Sequence, residues 1–495
     1  MRKVWSWSGQ ITVFVLMIFM LVVSVLAVQY KSALYYACRS DADLAARMSV
    51  DSFLATYQVA LRDRYGLLAV DGGYGQSEFL QQDMESNLLS IYKNNLQSSL
   101  IKNQIQSVTL VNAPIFSYFI DGDWEFLLRE IKINQKEQMI IEGVDYILSQ
   151  WGLQNSKAEG ELTQKRQIAE NTVVETEQNT EDENNEIQQD VRDPRDLLMN
   201  IWNQGILKAA CPSGFSVSEK TSIMSDVSYP EAGESVRTRI DFKNDASVYQ
   251  LFSEWKNILK PQNFIDLVSD DLMVQSYISD RFTNAMSSGE NTEEIPRTLD
   301  YEMEYLISGC EEDHENLKNV LWKLLAIRCV LNLSYLLSSV EKGNQVMITA
   351  AALSSVLMIP QFVEVVAFVL KMAWAFAESL ADCRTLLSGG SIPLIKTDQT
   401  WYLDWGRMTN LSTNMLDGNK SKEGLSYEAY LQIMMTFTDR DVKYRRMTHL
   451  MEKNIRMMEG YEGFRMKNCI YGIQVEYSCD FRTFGTYNTQ IGLSY

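Results

Sequence analysis

The chain has 495 residues, of which 46% are hydrophobic and 22% charged, an ordinary globular usage that excludes a wholly disordered protein. Its formal net charge of -19 would repel phosphate backbones, so nucleic acid is not expected as a partner. Two histidines, and seven cysteines without a CxxC spacing, argue against a metal site, and no cofactor is expected.

The first predicted element is a membrane-spanning helix from Ile11 to Val28. This stretch has no charged residue, and at ~1.5 Å per residue it reaches ~27 Å, about the thickness of the bilayer's hydrocarbon core. A helical pattern follows it directly, without a small-x-small cleavage site, which predicts an uncleaved anchor in the lipid bilayer. Arg2 and Lys3 precede the span, so we expect a single-pass cell-membrane protein with a cytoplasmic N-terminus and an extracytoplasmic bulk. Three basic residues beyond the span oppose this orientation: Lys31, Arg39 and Arg47.

Helical periodicity continues beyond the span and predicts one long rod that ends near Arg62, in a segment 1–62. Two interpretations of its apolar face stay open. The face packs on its own domain, or it packs against neighbouring copies in a filament, as a homo-oligomer through the N-terminal helix. The residues of the face are Leu34, Cys38, Ala42, Ala45, Ser49, Phe53, Thr56 and Ala60.

Residues 63–154 are predicted to form the first part of a globular domain. The DGGYG stretch from Asp71 to Gly75 lacks the Lys-Ser/Thr of a phosphate-binding loop and is interpreted as a turn. Alternating apolar and polar residues predict a strand from Ser107 to Ala113.

Residues 155–193 hold 11 acidic and 4 basic residues and almost nothing apolar. Such a segment buries too little apolar surface to offset chain entropy, so it is predicted to be an acidic disordered insertion. A middle α+β segment follows at 194–310, with a predicted strand from Ser222 to Tyr229.

Residues 311–390 are predicted to form an apolar helical bundle. Within them, Val346 to Leu370 is apolar enough to resemble a second span. Pro360 divides this stretch, and a charged residue in mid-bilayer costs about 2.5 to 3.5 kcal/mol, so we predict two buried bundle helices rather than a pair in lipid. The second helix is predicted to be amphipathic, with a polar stripe of Glu364, Lys371 and Glu378 opposite an apolar stripe of Phe362, Val366, Val369, Ala373, Phe376, Leu380 and Leu387.

A connector and a helical pair are predicted for 391–463, with Ser426 capping the first helix and Thr438 or Asp439 the second. Residues 464–495 are predicted to form strands, one of them from Asn468 to Phe481, where apolar and polar residues alternate. Cys469 and Cys479 would either bridge a terminal hairpin or remain buried free thiols, the interpretation that we favour.

The predicted fold class is α+β and mostly helical. An N-terminal transmembrane helix continues into a long helix, and an extracytoplasmic helical bundle follows, with a small sheet formed by sequence-distant strands.

The start of the chain, Gly9 to Phe14 (GQITVF), resembles the GxITVF N-terminus of an uncharacterised Gram-positive envelope family, a domain of unknown function encoded among Tad-type (tight adherence) pilus genes. Further similar blocks lie in most of the chain outside the acidic insertion: 41–75, EYLISG at 304–309, 375–397 and 424–440.

This resemblance implies a structural or assembly role beside TadE/TadG-like minor pseudopilins, with other pilus or secretion-apparatus subunits as partners. It also implies prepilin-type processing between Gly9 and Gln10. Major pilins carry a Glu five residues after the cleavage glycine, where this chain has Phe14, and this departure favours a minor subunit.

The main hypothesis is therefore a membrane-anchored envelope component of the minor pseudopilin type. The alternative is an anchored extracytoplasmic domain that binds a ligand or protein without entering a filament. An enzyme is not expected, because the sequence has no GxSxG, HExxH or Walker lysine motif. The pairs Asp41 with Asp43 and Asp439 with Asp441 are interpreted as helix charges, since carboxylates two residues apart on a helix point to different sides.

Overall fold

A computed structural model describes residues 8–97, 101–138, 205–229, 273–287, 296–356, 360–408 and 424–495. The predicted acidic insertion, 155–193, lies outside the described residues. Two compact units divide the chain: the anchor unit, Met1–Glu130 with Met458–Tyr495, and the helical unit, Ile131–Met457. Helices predominate over strands in the described part of the chain, which confirms the α+β, mostly helical fold class.

The anchor unit combines helices with one antiparallel sheet. Its helices are α1 (Ser8–Leu54), α2 (Val59–Tyr65), α3 (Gln81–Gln97) and α4 (Asp121–Gln138), the last of which belongs to this unit through Glu130. Its strands are β1 (Val70–Asp71), β2 (Ile105–Leu110), β3 (Ile115–Tyr118), β4 (Cys469–Phe481) and β5 (Gly485–Ser494).

Strand β4 is the centre of the sheet, and all four other strands pair with it in antiparallel orientation. Strand β5 runs along one edge of β4, where Tyr487 lies opposite Cys479. Strand β2 runs along the other edge, where Val108 lies opposite Cys479. From Ile473 onward, the buried residues of β4 alternate with more exposed ones, because successive side chains in a strand point to opposite faces. The predicted small sheet of sequence-distant strands is confirmed.

The rod prediction is wrong at its C-terminal end. Helix α1 stops at Leu54 rather than near Arg62, because Gln58 starts the separate helix α2 and its side chain accepts a hydrogen bond from the Ala60 amide. Before that break, the predicted face is buried in the core of its own unit, which it shares with α3 and the sheet. The buried members of the face are Cys38, Ala42, Ala45, Ser49 and Phe53.

The helical unit contains eight named helices among its described residues, and residues 273–281 are also helical. The named helices are α5 (Ile206–Ala210), α6 (Glu302–Ser308), α7 (Asp313–Ser338), α8 (Val340–Val356), α9 (Val363–Leu387), α10 (Trp405–Met408), α11 (Tyr427–Thr436) and α12 (Arg440–Arg456). The predicted caps are present, since the side chains of Ser426 and Asp439 accept amide hydrogen bonds at the starts of α11 and α12.

The strand predicted from Ser222 to Tyr229 is not formed. Thr221 makes a single bridge with Glu312, and the amides that follow donate to other acceptors instead of a second strand. The Met224 amide donates to the Glu311 carboxylate at 3.1 Å, and the Ser228 amide donates to a carboxylate on α12. Alternation of apolar residues therefore identified an extended segment but not a sheet.

The prediction of two buried bundle helices at Val346 to Leu370 is also wrong in part. Phe362 and Val369, assigned to the core-facing stripe, are exposed, whereas Glu378, assigned to the polar stripe, is fully buried. The buried part of α9 begins near Leu370, so the first turns of α9 and the outer residues of α8 form a surface.

Candidate functional site

Two features of the described chain have the character of a site: the N-terminal part of α1 and a buried cluster of charged residues in the helical unit. Every residue of α1 from 11 to 33 is exposed. This part of α1 is long and apolar enough to cross a bilayer, as a membrane anchor would, although an N-terminal signal sequence has the same composition.

Helix α7 is the second described helix that passes the same length and composition test. Most of its apolar stretch, 61%, is buried inside the chain, and its middle carries the fully buried Arg328. It is therefore the core helix of the helical unit.

Beyond its exposed part, α1 is fixed to the C-terminal hairpin by polar contacts. The Asp43 carboxylate accepts hydrogen bonds from the Tyr487 hydroxyl at 2.9 Å and from the Thr489 hydroxyl at 2.5 Å. The Arg39 guanidinium lies 4.7 Å from the centre of the Tyr487 ring, a cation–π contact. One helix thus carries both the exposed apolar segment and a face bonded to the sheet.

The buried cluster consists of Arg328 on α7, Glu378 and Asp382 on α9, and Lys396 in the connector after α9, all at most 3% exposed. The Arg328 Nε lies 2.9 Å from one Asp382 oxygen, and the Lys396 Nζ lies 2.6 Å from the other. Lys396 also pairs with Glu378. Two cations face two carboxylates, so the charges of the cluster balance.

Burial would raise the pKa of Asp382, but the Arg328 and Lys396 cations next to it hold that pKa below its usual value. Burial raises the pKa of Glu378, against the opposing effect of Lys396. Asp382 is therefore the firmly ionised carboxylate of the cluster, the one on which both cations converge.

The cluster also binds the backbone of the connector. Arg328 Nη1 donates to the carbonyl oxygens of Pro393 and Leu394 at 3.0 and 2.9 Å. Glu378 accepts from the amides of Tyr402 and Leu403 at 2.9 and 2.8 Å. The hydrogen bonds of the cluster described here go to groups of the protein itself, and they hold the connector against α7 and α9. The cluster therefore has the arrangement of a structural site rather than of a ligand-binding site.

Glu304 on α6 is a second buried acidic group, with an incomplete set of hydrogen bonds. One carboxylate oxygen accepts from the Ala285 amide at 2.9 Å and from the Tyr427 hydroxyl at 2.8 Å. The other has no hydrogen-bond partner among the residues that the structure describes. Burial raises the pKa of Glu304 from its ordinary 4.5 to about 7, since no cation compensates for the lost hydration.

This pKa predicts a pH-dependent stability. Between pH 4.5 and about 7 the unfolded chain has released the Glu304 proton and the folded chain still holds it, so the free energy of unfolding falls as the pH rises. The loss is on the order of 3 kcal/mol. Glu304→Gln, which keeps the bonded oxygen, is expected to remove this slope and to be more stable than the parent at pH 8.

Denaturant titrations monitored by tryptophan fluorescence across this pH range would measure the slope. Glu341→Gln, a change of an exposed carboxylate on α8, is the matched control and should leave the slope unchanged. A Glu304→Gln variant with the parental slope would show that another group causes it.

The residues of the predicted processing site lie in the first turn of α1, which begins at Ser8. Gly9 and Gln10 are thus helical, and processing between them stays a prediction. Cys469 and Cys479 are buried free thiols, as in the favoured interpretation, and the alternative of a bridge is contradicted, because both lie on β4, ten residues apart. At ~3.3 Å per residue the strand separates them by ~33 Å, far beyond the reach of a disulfide.

The carboxylate pairs do not converge on a common point. Asp439 caps α12, and Asp441 lies 2.6 Å from Arg445 one turn further along the same helix.

The Asp71 to Gly75 stretch is a turn closed by its own acidic residue, since the Asp71 carboxylate accepts hydrogen bonds from the amides of Gly73 and Gly75 at 2.9 and 2.7 Å. Among the described residues, no group of three His, Cys, Asp or Glu is arranged to hold a metal ion.

The sequence interpretation missed the buried charge cluster. A signal was present, because Arg328 interrupts the apolar run from Leu324 to Leu331 and Lys396 directly follows the apolar residues 392–395. A charge in such a run is buried only when it is paired. The sequence shows the isolated charges, but not which charge pairs with which.

Comparisons with known proteins give a family but no activity. Comparison with curated proteins and with solved structures finds no match. A family model described as a family of unknown function (DUF5702) matches residues 184–481, a range that excludes α1. That description names neither Tad pili nor a cell envelope, so those associations rest on the sequence resemblance alone. Since the match covers more than half of the chain, the protein belongs to this family of unknown function.

Proposed function

We propose that the protein is a membrane-anchored structural or assembly component of the cell envelope, held in the bilayer by α1 with its bulk outside the cytoplasm. The observation that carries this proposal is the division of α1. Its residues 11–33 are all exposed and mostly apolar, whereas one face of the helix from Cys38 to Phe53 belongs to the core of the anchor unit. An exposed apolar helix of this length requires lipid, or other apolar helices, around it.

The more specific proposal is a minor pseudopilin-like subunit of a Tad-type pilus or secretion apparatus. Before assembly, pilin-like subunits are anchored in the membrane by an apolar helix. They are then extracted, and their helices pack together in the filament core with the globular domains outside. Helix α1 fits both stages, because its exposed half continues without a break into a half that is bonded to the sheet. The GQITVF start supports the same role by resemblance.

The second candidate is an anchored extracytoplasmic domain that binds a ligand or protein and never leaves the membrane. The same anchor and the acidic charge of the chain support it. The two candidates differ in processing and location: a pseudopilin is cleaved after Gly9 and reaches sheared filaments, whereas a permanent anchor remains intact in membranes.

The test determines the mature N-terminus and the topology together. N-terminal sequencing is applied to membrane and sheared-surface fractions, and an impermeant maleimide labels Glu462→Cys, at an exposed position of the anchor unit, in intact cells. The parent chain controls for labelling of the partly buried native Cys211 and Cys310.

Cleavage after Gly9 with outside labelling supports the pseudopilin-like subunit. An intact Met1 found only in membranes, again with outside labelling, supports the anchored binding domain. Labelling only after the cells are opened would overturn the extracytoplasmic topology on which both candidates depend.

A further inference from the structure

The outer part of helices α8 and α9 is an apolar surface of the helical unit. Ile348 is 73% exposed, Val365 58% and Phe368 48%, values ordinarily seen for polar side chains. Four further large apolar side chains in or directly before the two helices are also exposed: Val340, Met347, Phe362 and Val369. An apolar surface of this kind marks an interaction site.

The composition of this surface favours hydrocarbon as its partner. Between Val346 and Leu370 the only charged residue is Glu364, and the exposed side chains are mainly Val, Ile, Phe and Ala. Protein interfaces instead have a polar rim and are enriched in Tyr, Trp and Arg at their centre. A surface that faces the interior of a bilayer needs neither a polar rim nor Tyr, Trp and Arg at its centre.

Tryptophan and lysine lie beside α8, the lysines near its start and Trp405 near its middle. The Trp405 Nε1 donates to the Thr349 hydroxyl at 2.9 Å, and Lys371 lies beside Gly343, where an added Cβ would be 3.7 Å from the Lys371 Nζ. The Lys342 ammonium lies 5.7 Å from the centre of the Trp401 ring, which is itself buried. The partly exposed Trp405 indole and the Lys342 and Lys371 ammonium groups, next to an apolar segment, are typical of the level of lipid headgroups.

The length of the segment limits how deep it can reach. From Gly343 to Val356, α8 rises about 20 Å at ~1.5 Å per residue, more than one leaflet of hydrocarbon and less than the ~30 Å of a full bilayer core. A segment of this length can dip into a membrane but does not cross it, so the single-pass topology is kept.

We propose that the α8–α9 pair inserts its exposed apolar surface into lipid acyl chains, as a second contact with the membrane that holds α1. This inference rests on the proposed function, because α1 is what keeps the chain at a bilayer. Glu364 opposes insertion while it is ionised, so Glu364→Gln strengthens the contact. A charged residue in place of Phe368 weakens the contact with lipid.

The test uses the full chain in vesicles of phosphatidylglycerol and phosphatidylethanolamine, with the photocrosslinker benzoylphenylalanine at one position at a time. Position 365 reports on the proposed contact, position 19 on α1, and position 115, whose Ile115 is 64% exposed on β3, is the matched apolar control. Mass spectrometry of the illuminated protein distinguishes lipid adducts from protein adducts. Lipid adducts are expected at 365 and 19 and not at 115.

With the probe at 365, Phe368→Glu is expected to reduce the lipid adducts on the order of tenfold, and Glu364→Gln to increase them. Adducts at 19 without adducts at 365 would overturn this inference and leave the anchor in place. Adducts at 365 to a second copy of the chain would make the surface a protein interface and also overturn it. Absence of lipid adducts at both positions would overturn the proposed anchoring as well.

Discussion

Asp382→Ala is expected to lower the free energy of unfolding by about 3 to 5 kcal/mol, because it removes the carboxylate that faces both cations of the buried cluster. Arg328 and Lys396 would remain in the core with only Glu378 as an acidic partner. The clamp on the connector would weaken with them, since Arg328 is oriented by Asp382 when it donates to Pro393 and Leu394. Denaturant titration of the full chain in detergent, monitored by tryptophan fluorescence, measures the change.

Glu315→Ala is the matched control on a surface ion pair. Glu315 lies 2.9 Å from Lys318 on α7, in the same unit, but both side chains are more than a third exposed. Its removal is expected to cost at most about 1 kcal/mol, because exposed pairs are screened by solvent. Equal losses from Asp382→Ala and Glu315→Ala would contradict the assignment of the cluster as the clamp of the helical unit.

A double substitution tests whether the cluster stabilises the protein through its charge balance or through the hydrogen bonds of Arg328 to the connector. Arg328→Met combined with Asp382→Leu removes one cation and one carboxylate together and leaves Lys396 paired with Glu378. It is expected to cost less than Asp382→Ala alone, because no excess positive charge stays buried. A larger loss in the double variant would show that the hydrogen bonds of Arg328 to the connector matter more than the charge balance.

Local chemistry in the sequence predicted much of the fold. The cap at Ser426, and Asp439 as one of two candidates for the second cap, were identified because an N-cap needs only a side-chain oxygen and the amides that follow it. The exposed half of α1 was identified because an uncharged apolar run of this length has few alternatives. Strand β4 was identified by its alternating residues.

Pairing between distant residues was not predictable in the same way. Glu378 was assigned to a polar stripe because periodicity assumes that a charge faces water, but Lys396 reaches it from the connector and neutralises it in the core. A bridge between Cys469 and Cys479 stayed open as the less favoured alternative, because their spacing does not by itself show whether the two thiols meet; β4 continues unbroken to Phe481 and keeps them apart. Which distant residues meet is fixed by tertiary packing.

The largest effect on membrane attachment is expected from Phe19→Arg combined with Val22→Arg in the exposed part of α1. Each arginine near the middle of a spanning helix costs about 2.5 to 3.5 kcal/mol, so the pair disfavours insertion by on the order of 5 kcal/mol. The variant is expected to leave the carbonate-washed membrane pellet, in which the parent chain remains.

Leu44→Arg combined with Met48→Arg is the matched control on the same helix. These residues are 57% and 46% exposed, close to the 63% and 46% of Phe19 and Val22, but they lie beyond the apolar segment, beside the sheet-bonded face of α1. This variant should remain in the membrane, because its charges stay in water. If both double variants stay in the pellet, the span is not what holds the protein. If the parent protein in the pellet begins after Val28, the apolar segment is a cleaved signal, and another surface must account for the attachment.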